Sequence, residues 1–289
     1  MRASTDSTTA VRTFAEATAV TATTSSGVGG SGRFTADIDP DWTIGGKPNG
    51  GYLEAIMARA ATAVAAHPQI VAASTHFFRA PDPGPADLEV EFVTSGRTTS
   101  QVRVRLSQQG KPKVEAMFTL GRLPQSGHAE DPSGPALRWQ HPAGPAMGRP
   151  LDECPRYFPP ASEFAVPILH QVDLRLEPDA AAFARGEPRG IGELRAWFDL
   201  PGQDSFDTIG LLLAADIMPP ATFDIAPSGW VPTLELTTYV RALPAAGPVN
   251  IHLVANLIQG DRVDETCTIW DSRGTLVARA HQLAGIRLP

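Results

Sequence analysis

Hydrophobic residues along the chain form two kinds of segment, alternating stretches and almost wholly apolar ones. Alternation is clearest over 102–106, where valine and leucine alternate with arginine, as in a strand with one face in water. The run from Tyr52 to about Ala66 is apolar at most positions, which predicts a helix buried on most of its surface. A second such helix is predicted over Asp207–Ile217, and Pro219 and Pro220 after it end the helix.

Strand-like stretches surround the two predicted helices in the same order, with two before each helix and four after it. A Pro- and Gly-rich stretch without periodicity, residues 124–165, separates the two sets and is typical of a linker. The predicted strands are Phe14–Ala22, Gly32–Ile38, Ile70–Arg79, Asp87–Ser95, Thr98–Gln108 and Lys113–Leu123, then Gln171–Glu177, Gly192–Leu200, Thr233–Ala242, Val249–Ile258, Val263–Asp271 and Leu276–Leu288.

Residue matches between the two halves indicate a duplication. One constant spacing relates Gly110, Ala116 and Gly121 to Gly274, Ala280 and Gly285. A helix can be apolar all round only if a sheet curls about it, and the short turns between strands suit antiparallel pairing. The expected fold class is therefore α+β, a double hotdog with two tandem antiparallel sheets, each curled around a buried helix. We expect an N-terminal hotdog over 11–124, a linker over 125–165 and a C-terminal hotdog over 166–289.

Charge and composition exclude several classes of function. The 289 residues include 24 basic and 31 acidic side chains and no basic cluster, which argues against a nucleic-acid partner. No uncharged apolar run is long enough to span a membrane, and no secretory signal is expected. Cys154 and Cys267 cannot form a disulfide framework. A cytoplasmic location is the resulting expectation.

Most short motifs in the sequence lack the neighbouring secondary structure or residues that their usual function requires. Residues 27–32 match G-x-G-x-x-G by letter, but a polar turn precedes them and a strand follows, which favours a flexible turn. The Gly45–Gly51 loop leads into the first helix, so it either closes tightly on the helix or binds a thioester or phosphate group. There is no G-x-S-x-G elbow and no metal-binding histidine spacing, so neither metal nor cofactor is expected. His76 and His170 are interpreted as strand residues.

Asp216 is the most informative single residue, because it stands near the end of the second apolar helix. A buried carboxylate is costly unless it reaches solvent, a partner or a site. Asp216 is therefore either a polar residue emerging at the helix end or a general base that can take a proton from water.

A set of motifs spread along the chain is typical of one protein family: Trp42, Asn49–Leu53, Phe77–Arg79 with Pro81, Gly229–Leu236, Trp270-Asp271 with Gly274, and Ala278–Gln282. Through these motifs the chain resembles, from about Phe14 to Pro289, the acyl-CoA thioesterase II family, in its actinobacterial thioesterase-like double-hotdog branch. At one place the pattern departs, since Glu235-Leu236-Thr237 stands where better-studied members have Asp-His-Ser.

The resemblance implies hydrolysis of acyl-CoA to a free carboxylic acid and CoA, a reaction of lipid metabolism. The family's catalytic aspartate, threonine and glutamine match Asp216, Thr233 and Gln282, with Asp216 activating a water that the other two position. Substrate contacts are expected at Gly50, Gly51, Tyr52, His76 and Phe78.

Two other functions stay open at this point. The chain could be a non-catalytic module that binds acyl thioesters, or a hotdog hydratase or dehydratase. Those hydratases pair an aspartate with a histidine a few residues later, and Asp216 has no such partner. Because sheet edges invite pairing and relatives commonly assemble, we expect a homodimer or a larger homo-oligomer.

The repeat also predicts where catalysis occurs. Aligning the halves brings Met57, Val71 and Phe118 opposite the catalytic trio, and none of these can accept a proton or orient a water. One active site per chain is expected, in the second half, unless Glu54 is recruited in the first.

Overall fold

The computed structural model describes residues 12–25, 27–125, 139, 147–159 and 164–288. Four α-helices lie in these ranges: α1 (Phe14–Ala17), α2 (Gly50–Val64), α3 (Ile168–Gln171) and α4 (Thr208–Asp216). The strands are β1 (Val20–Ser25), β2 (Gly32–Ile38), β3 (Thr43–Ile44), β4 (Lys47–Pro48), β5 (Gln69–Phe77), β6 (Gly84–Ser95), β7 (Ser100–Gln108), β8 (Lys111–Gly121), β9 (Asp173–Leu176), β10 (Glu193–Asp199), β11 (Thr233–Val240), β12 (Val249–Gln259), β13 (Arg262–Trp270) and β14 (Leu276–Gly285).

Twelve of the strands form one continuous antiparallel sheet, in the order β1-β2-β6-β7-β8-β5-β11-β14-β13-β12-β10-β9. Strands β5 and β11 pair at its centre, from His76 opposite Glu235 to Ala72 opposite Tyr239, and so join the two halves edge to edge. Helix α2 packs on the first half of the sheet and α4 on the second. The architecture is the predicted α+β double hotdog, with the two expected sheets joined into one by the pairing of β5 with β11. No helix in the described ranges is long and apolar enough to span a membrane.

Both long helices begin at a side-chain cap and are buried along nearly their whole length. Asn49 accepts a hydrogen bond from the Tyr52 amide at the start of α2, and Asp207 accepts one from Gly210 at the start of α4. The helices also pack on each other. A Cβ on Gly51 would lie 2.7 Å from the Leu212 carbonyl oxygen, so only glycine permits this approach.

Two predicted strand assignments were wrong. Residues 14–17 form α1, because Thr13 and Glu16 make a reciprocal capping box that favours a helical turn over the extended chain. Of the predicted stretch Phe14–Ala22, only the last three residues are in a strand, at the start of β1 (Val20–Ser25). His170 lies in α3 and is exposed, so it does not share a strand with Asp173.

An aromatic cluster ties the N-terminal segment to α2. The Trp42 ring stacks on Tyr52 with centroids 5.4 Å apart, and Phe14 packs on Trp42 at the same distance. The Tyr52 hydroxyl donates to the Ala17 carbonyl at 2.8 Å and accepts from the Asp39 amide at 3.0 Å. The predicted substrate contact at Tyr52 is corrected here, since its side chain is fully buried in the core and does not line the cavity described below.

Replacing Tyr52 with phenylalanine should therefore lower stability without a direct effect on any site. The Asp39 amide would lose its acceptor inside the protein, and a buried unsatisfied group costs about 1–3 kcal/mol of the free energy of unfolding. Urea denaturation measures this loss. Tyr239→Phe is the matched control, because Tyr239 is 46% exposed and should change little. Equal stability of the two variants would contradict the structural role.

Candidate active site

An apolar cavity of about 600 Å³ lies where the C-terminal end of α4 meets the N-terminal end of α2. Asp216, Thr233 and Gln282 all line it, although they come from three separate elements of the chain. The structure thus brings the predicted trio together at one cavity. Its apolar wall includes Leu53, Phe77, Val166, Leu169, Leu174, Phe183, Met218, Phe223, Trp230 and Leu253.

The start of α2 holds the Asp216 carboxylate. Asp216 Oδ2 accepts from the Gly51 amide at 2.9 Å and from Asn49 Nδ2 at 3.0 Å, and Asn49 Nδ2 also lies 2.8 Å from the Asp216 carbonyl oxygen. The helix N-terminus favours a negative charge at this point. A Cβ on Gly50 would lie 2.8 Å from Oδ2, so the Gly50-Gly51 pair is what lets the carboxylate approach.

Asp216 is a stronger base than an ordinary aspartate. Burial raises the pKa of Asp216 to about 6, while hydrogen bonds from the Gly51 and Gly50 amides, Asn49 and Thr233 limit the rise. The ionised form therefore prevails at neutral pH, with a pKa close to the value that suits a general base. The glycine amides orient this base and are not free to bind a developing oxyanion.

A chain of hydrogen bonds leads away from the trio to Glu265, which sequence reasoning missed. The Thr233 hydroxyl donates to Gln282 Oε1 at 3.3 Å, and Gln282 Nε2 donates to Glu265 Oε2. Burial also raises the pKa of Glu265, against the effect of its hydrogen bonds from Gln282 and Ala221. The sequence did contain a signal for this residue. Glu265 stands at an alternate position of β13 between Val263 and Cys267, so the strand periodicity places it on the buried face with them.

The remaining predicted substrate residues separate into two groups. Gly50 and Phe78 line the cavity, and Gly51 contacts Asp216 directly. The predicted substrate contact at His76 is corrected, because its side chain is exposed, pairs across the strands with Glu235 and does not line the cavity. The three residues that depart from the family pattern, 235–237, do not line the cavity either.

The strand register identifies the first-half counterparts of the trio. The pairing of β5 with β8 is irregular just after Ile70, and the pairing of β11 with β14 is irregular just after Thr233, so these two residues occupy equivalent places. In the same way, Phe118 of β8 lies beside β5 as Gln282 of β14 lies beside β11. The equivalent helix caps, Asn49 and Asp207, put Ala58 opposite Asp216. Two sequence alignments were thus off by one residue, because Ala58 and Ile70 replace Met57 and Val71. All three counterparts are apolar.

Glu54 is a further buried carboxyl group, located in α2 of the first half. The Thr75 hydroxyl donates to its Oε1 at 2.5 Å, whereas Oε2 has no hydrogen-bond partner among the described residues. Burial raises the pKa of Glu54 to about 8, with a smaller contribution from the charges of Asp216 and Glu235. Glu54 is therefore mainly protonated at neutral pH. Within the described ranges no group of His, Cys, Asp and Glu could hold a metal ion.

Two family profiles match the chain. The profile of the acyl-CoA thioesterase N-terminal domain matches residues 38–121, and that of the C-terminal domain matches residues 151–286. The chain belongs to the acyl-CoA thioesterase family. An uncharacterised protein of Mycobacterium tuberculosis H37Rv is 31% identical to this acyl-CoA thioesterase family member over 268 residues, covering 87% of this chain and 90% of its own.

Solved structures agree with the family and the fold. The "putative thioesterase II" of Thermobifida fusca YX is 32% identical, with a TM-score of 0.81 over 95% of this chain and 97% of that one. A hotdog-fold protein of unknown function from Alicyclobacillus acidocaldarius has a TM-score of 0.78 at 20% identity, covering 96% and 98%. The acyl-CoA thioesterase II TesB2 of Mycobacterium marinum has a TM-score of 0.66 at 16% identity, over 96% and 98%. The last two show the fold alone.

The raised pKa of Glu54 predicts a specific dependence of stability on pH. Between about pH 4.5 and 8 the unfolded chain ionises this group while the folded protein keeps it protonated, so this group's contribution to stability falls as pH rises. In the Glu54→Gln variant this position cannot titrate, so the free energy of unfolding should depend less on pH over this range. Urea denaturation across this window measures it, with the exposed Glu89→Gln as control. Identical slopes for wild type and Glu54→Gln would refute the prediction.

Proposed function

We propose that this protein hydrolyses acyl-CoA thioesters to a free carboxylic acid and CoA, with Asp216 as the general base. The observation that carries the proposal is the Asp216 carboxylate, held by Asn49 and Gly51 at a cavity that Thr233 and Gln282 also line. A thioester is already activated toward attack, so a well-positioned water is sufficient and no covalent nucleophile is needed.

Each side chain has a defined part in the proposed reaction. The water oxygen bonds to the thioester carbonyl carbon while Asp216 accepts a proton from the water. The carbon–sulfur bond then breaks, the acid is released, and the CoA sulfur takes up the proton. Thr233 and Gln282, joined by their 3.3 Å hydrogen bond, hold the water beside Asp216.

The apolar wall of the cavity is suited to an acyl chain. Phe183 lies between Tyr157 and Phe223, with ring centroids 6.0 and 5.7 Å away, and all three rings line the cavity. Each buried methylene of a substrate would contribute about 0.8 kcal/mol there. The proposed acyl group is therefore a hydrocarbon chain and not a polar acid.

Positive charge at the cavity favours CoA as the carrier of that chain. Lys47 and Arg79 both line the cavity. Lys47 is paired with Asp82 at 2.6 Å, whereas the Arg79 side chain is exposed and has no partner among the described residues. Lys113 lies next to Arg79, whose amide donates to the Lys113 carbonyl at 3.2 Å. An arginine here is well placed to bind the phosphates of CoA.

We also propose one catalytic centre per chain, because the first-half counterparts Ala58, Ile70 and Phe118 carry no acid, base or amide. The first half then acts as scaffold and as part of the cavity wall. Assembly into a homodimer or larger oligomer stays a prediction.

Asp216→Asn is the main test. The variant keeps the shape of the side chain but cannot accept a proton, so turnover should fall by roughly 10²–10⁴-fold. Thiol release from acyl-CoAs of several chain lengths measures it. In the wild type kcat/KM should rise with pH through about 6, as Asp216 ionises, and then level off.

Glu54→Gln is the matched control for that test, since it removes a buried carboxyl group of α2 that is not part of the trio and should leave most of the turnover. No thiol release by the wild type on any acyl-CoA would overturn the proposal, and saturable binding without turnover would identify a binding module. An inactive but folded Glu54→Gln would show that the first half carries chemistry.

Arg79→Gln tests the carrier. An exposed ion pair is worth about 0.2–1 kcal/mol, so the KM for acyl-CoA should rise by up to about fivefold. The KM for the same acyl group on N-acetylcysteamine, which has no phosphate, should not change. Arg97→Gln, on the turn between β6 and β7, is the control. A parallel rise for both substrates would mean that Arg79 does not contact the phosphates.

A further inference from the structure

Glu265 occupies a place where a charged residue is expensive. Its side chain is 1% exposed, on the inner face of β13, and in the strand register it lies directly opposite Gln282 of β14. Burial of a carboxyl group is tolerated only when its hydrogen bonds are satisfied. The catalytic steps described above do not use this group.

Both oxygens of Glu265 are hydrogen-bonded. Oε1 accepts from the Ala221 amide at 2.9 Å, and Oε2 accepts from Gln282 Nε2. The Ala221 amide can only donate, so Glu265 Oε1 is fixed as an acceptor, and Oε2 is the atom that meets the amide nitrogen of Gln282. Glu265 therefore draws the amide nitrogen of Gln282 toward itself, which turns Gln282 Oε1 toward Thr233 and the cavity.

This orientation decides what a water in the cavity would meet. The single hydroxyl proton of Thr233 serves either Gln282 Oε1 or Asp216, so the Thr233 oxygen is left as an acceptor. With Gln282 Oε1 also facing inward, a water there finds only acceptors and gives up both protons to them. The lone pairs of the water oxygen then stay free for attack. A flipped Gln282 would instead donate an N–H to one of them.

We propose that Glu265 is a positioning residue, which sets the amide orientation of Gln282 so that the attacking water meets acceptors only. The inference rests on the proposed hydrolysis and adds a role that the trio alone does not supply.

The first half of the protein offers an internal comparison. There Val102 lies opposite Phe118, in the places that Glu265 and Gln282 occupy in the second half. The same position of the fold is thus filled by two buried apolar side chains where no catalytic aspartate is present. The fold does not require a carboxyl–amide pair here, and the pair occurs in the half that carries Asp216.

Glu265→Gln tests the orientation directly. The new amide keeps the bond from Ala221 by using its oxygen, and so presents its own NH₂ group to Gln282. Gln282 must then flip to offer its oxygen, which turns its NH₂ toward the cavity. Because misplacement of a reacting group can cost about 10²-fold, we expect kcat to fall by that order while KM changes little. Glu89→Gln is the carboxyl-to-amide control on the surface.

A double variant exchanges the two groups, with Glu265→Gln and Gln282→Glu in the same protein. It should restore a hydrogen-bond acceptor on residue 282 that faces Thr233 and the cavity. The amide at 265 then donates to the carboxylate at 282, whose second oxygen faces Thr233. We expect kcat at least tenfold above that of either single variant, since Gln282→Glu alone sets two carboxylates against each other. The added negative charge beside Asp216 should also shift the pH profile of the exchanged protein toward higher pH.

Urea denaturation of all four proteins, with kcat expressed per folded molecule, separates positioning from folding. An exchanged protein no faster than the single variants, or a Glu265→Gln variant as active as the wild type, would overturn the inference while an inactive Asp216→Asn still supported hydrolysis. A wild type that releases no thiol would overturn both.

Discussion

The close approach of two helices is the constraint on which the candidate site depends. The N-terminal end of α2 meets the C-terminal end of α4, and the two glycines at that end let the Asp216 carboxylate reach the Gly51 amide at 2.9 Å. The two halves of the chain are therefore not independent. The half that carries the base relies on the other half to hold it in place, because the ligands of Asp216 come from Asn49 and Gly51.

The two halves share the same fold but differ in the side chains at the candidate site. Equivalent strands and helices build both halves, yet Asp216, Thr233, Gln282 and Glu265 have apolar counterparts in the first half. Buried polar groups are costly unless all of their hydrogen bonds are made. In the second half these groups are hydrogen-bonded to one another and to Asn49, Gly51 and Ala221. Glu54 is an exception, since one of its oxygens has no partner among the described residues.

Local patterns were sufficient for most elements. The two buried helices were predicted to within two residues at each end, because caps, prolines and apolar runs act over a few neighbours. The first strand failed for the same reason, since the capping box of Thr13 and Glu16 outweighs a weak alternation. Tyr52 and His76 were assigned to substrate from the resemblance, and the face that each side chain takes excludes them from the cavity.

The sequence by itself determined the elements, the duplication, the family resemblance and the candidate trio. Only the tertiary structure decided which distant residues meet: Asn49 with Asp216, and Glu265 with Gln282. Periodicity reports which side chains are buried, but it does not report partners that are far apart in the chain. The pairing of β5 with β11 and the packing of α2 on α4 supply that information, and with it the raised pKa and the hydrogen-bond directions on which the chemistry depends.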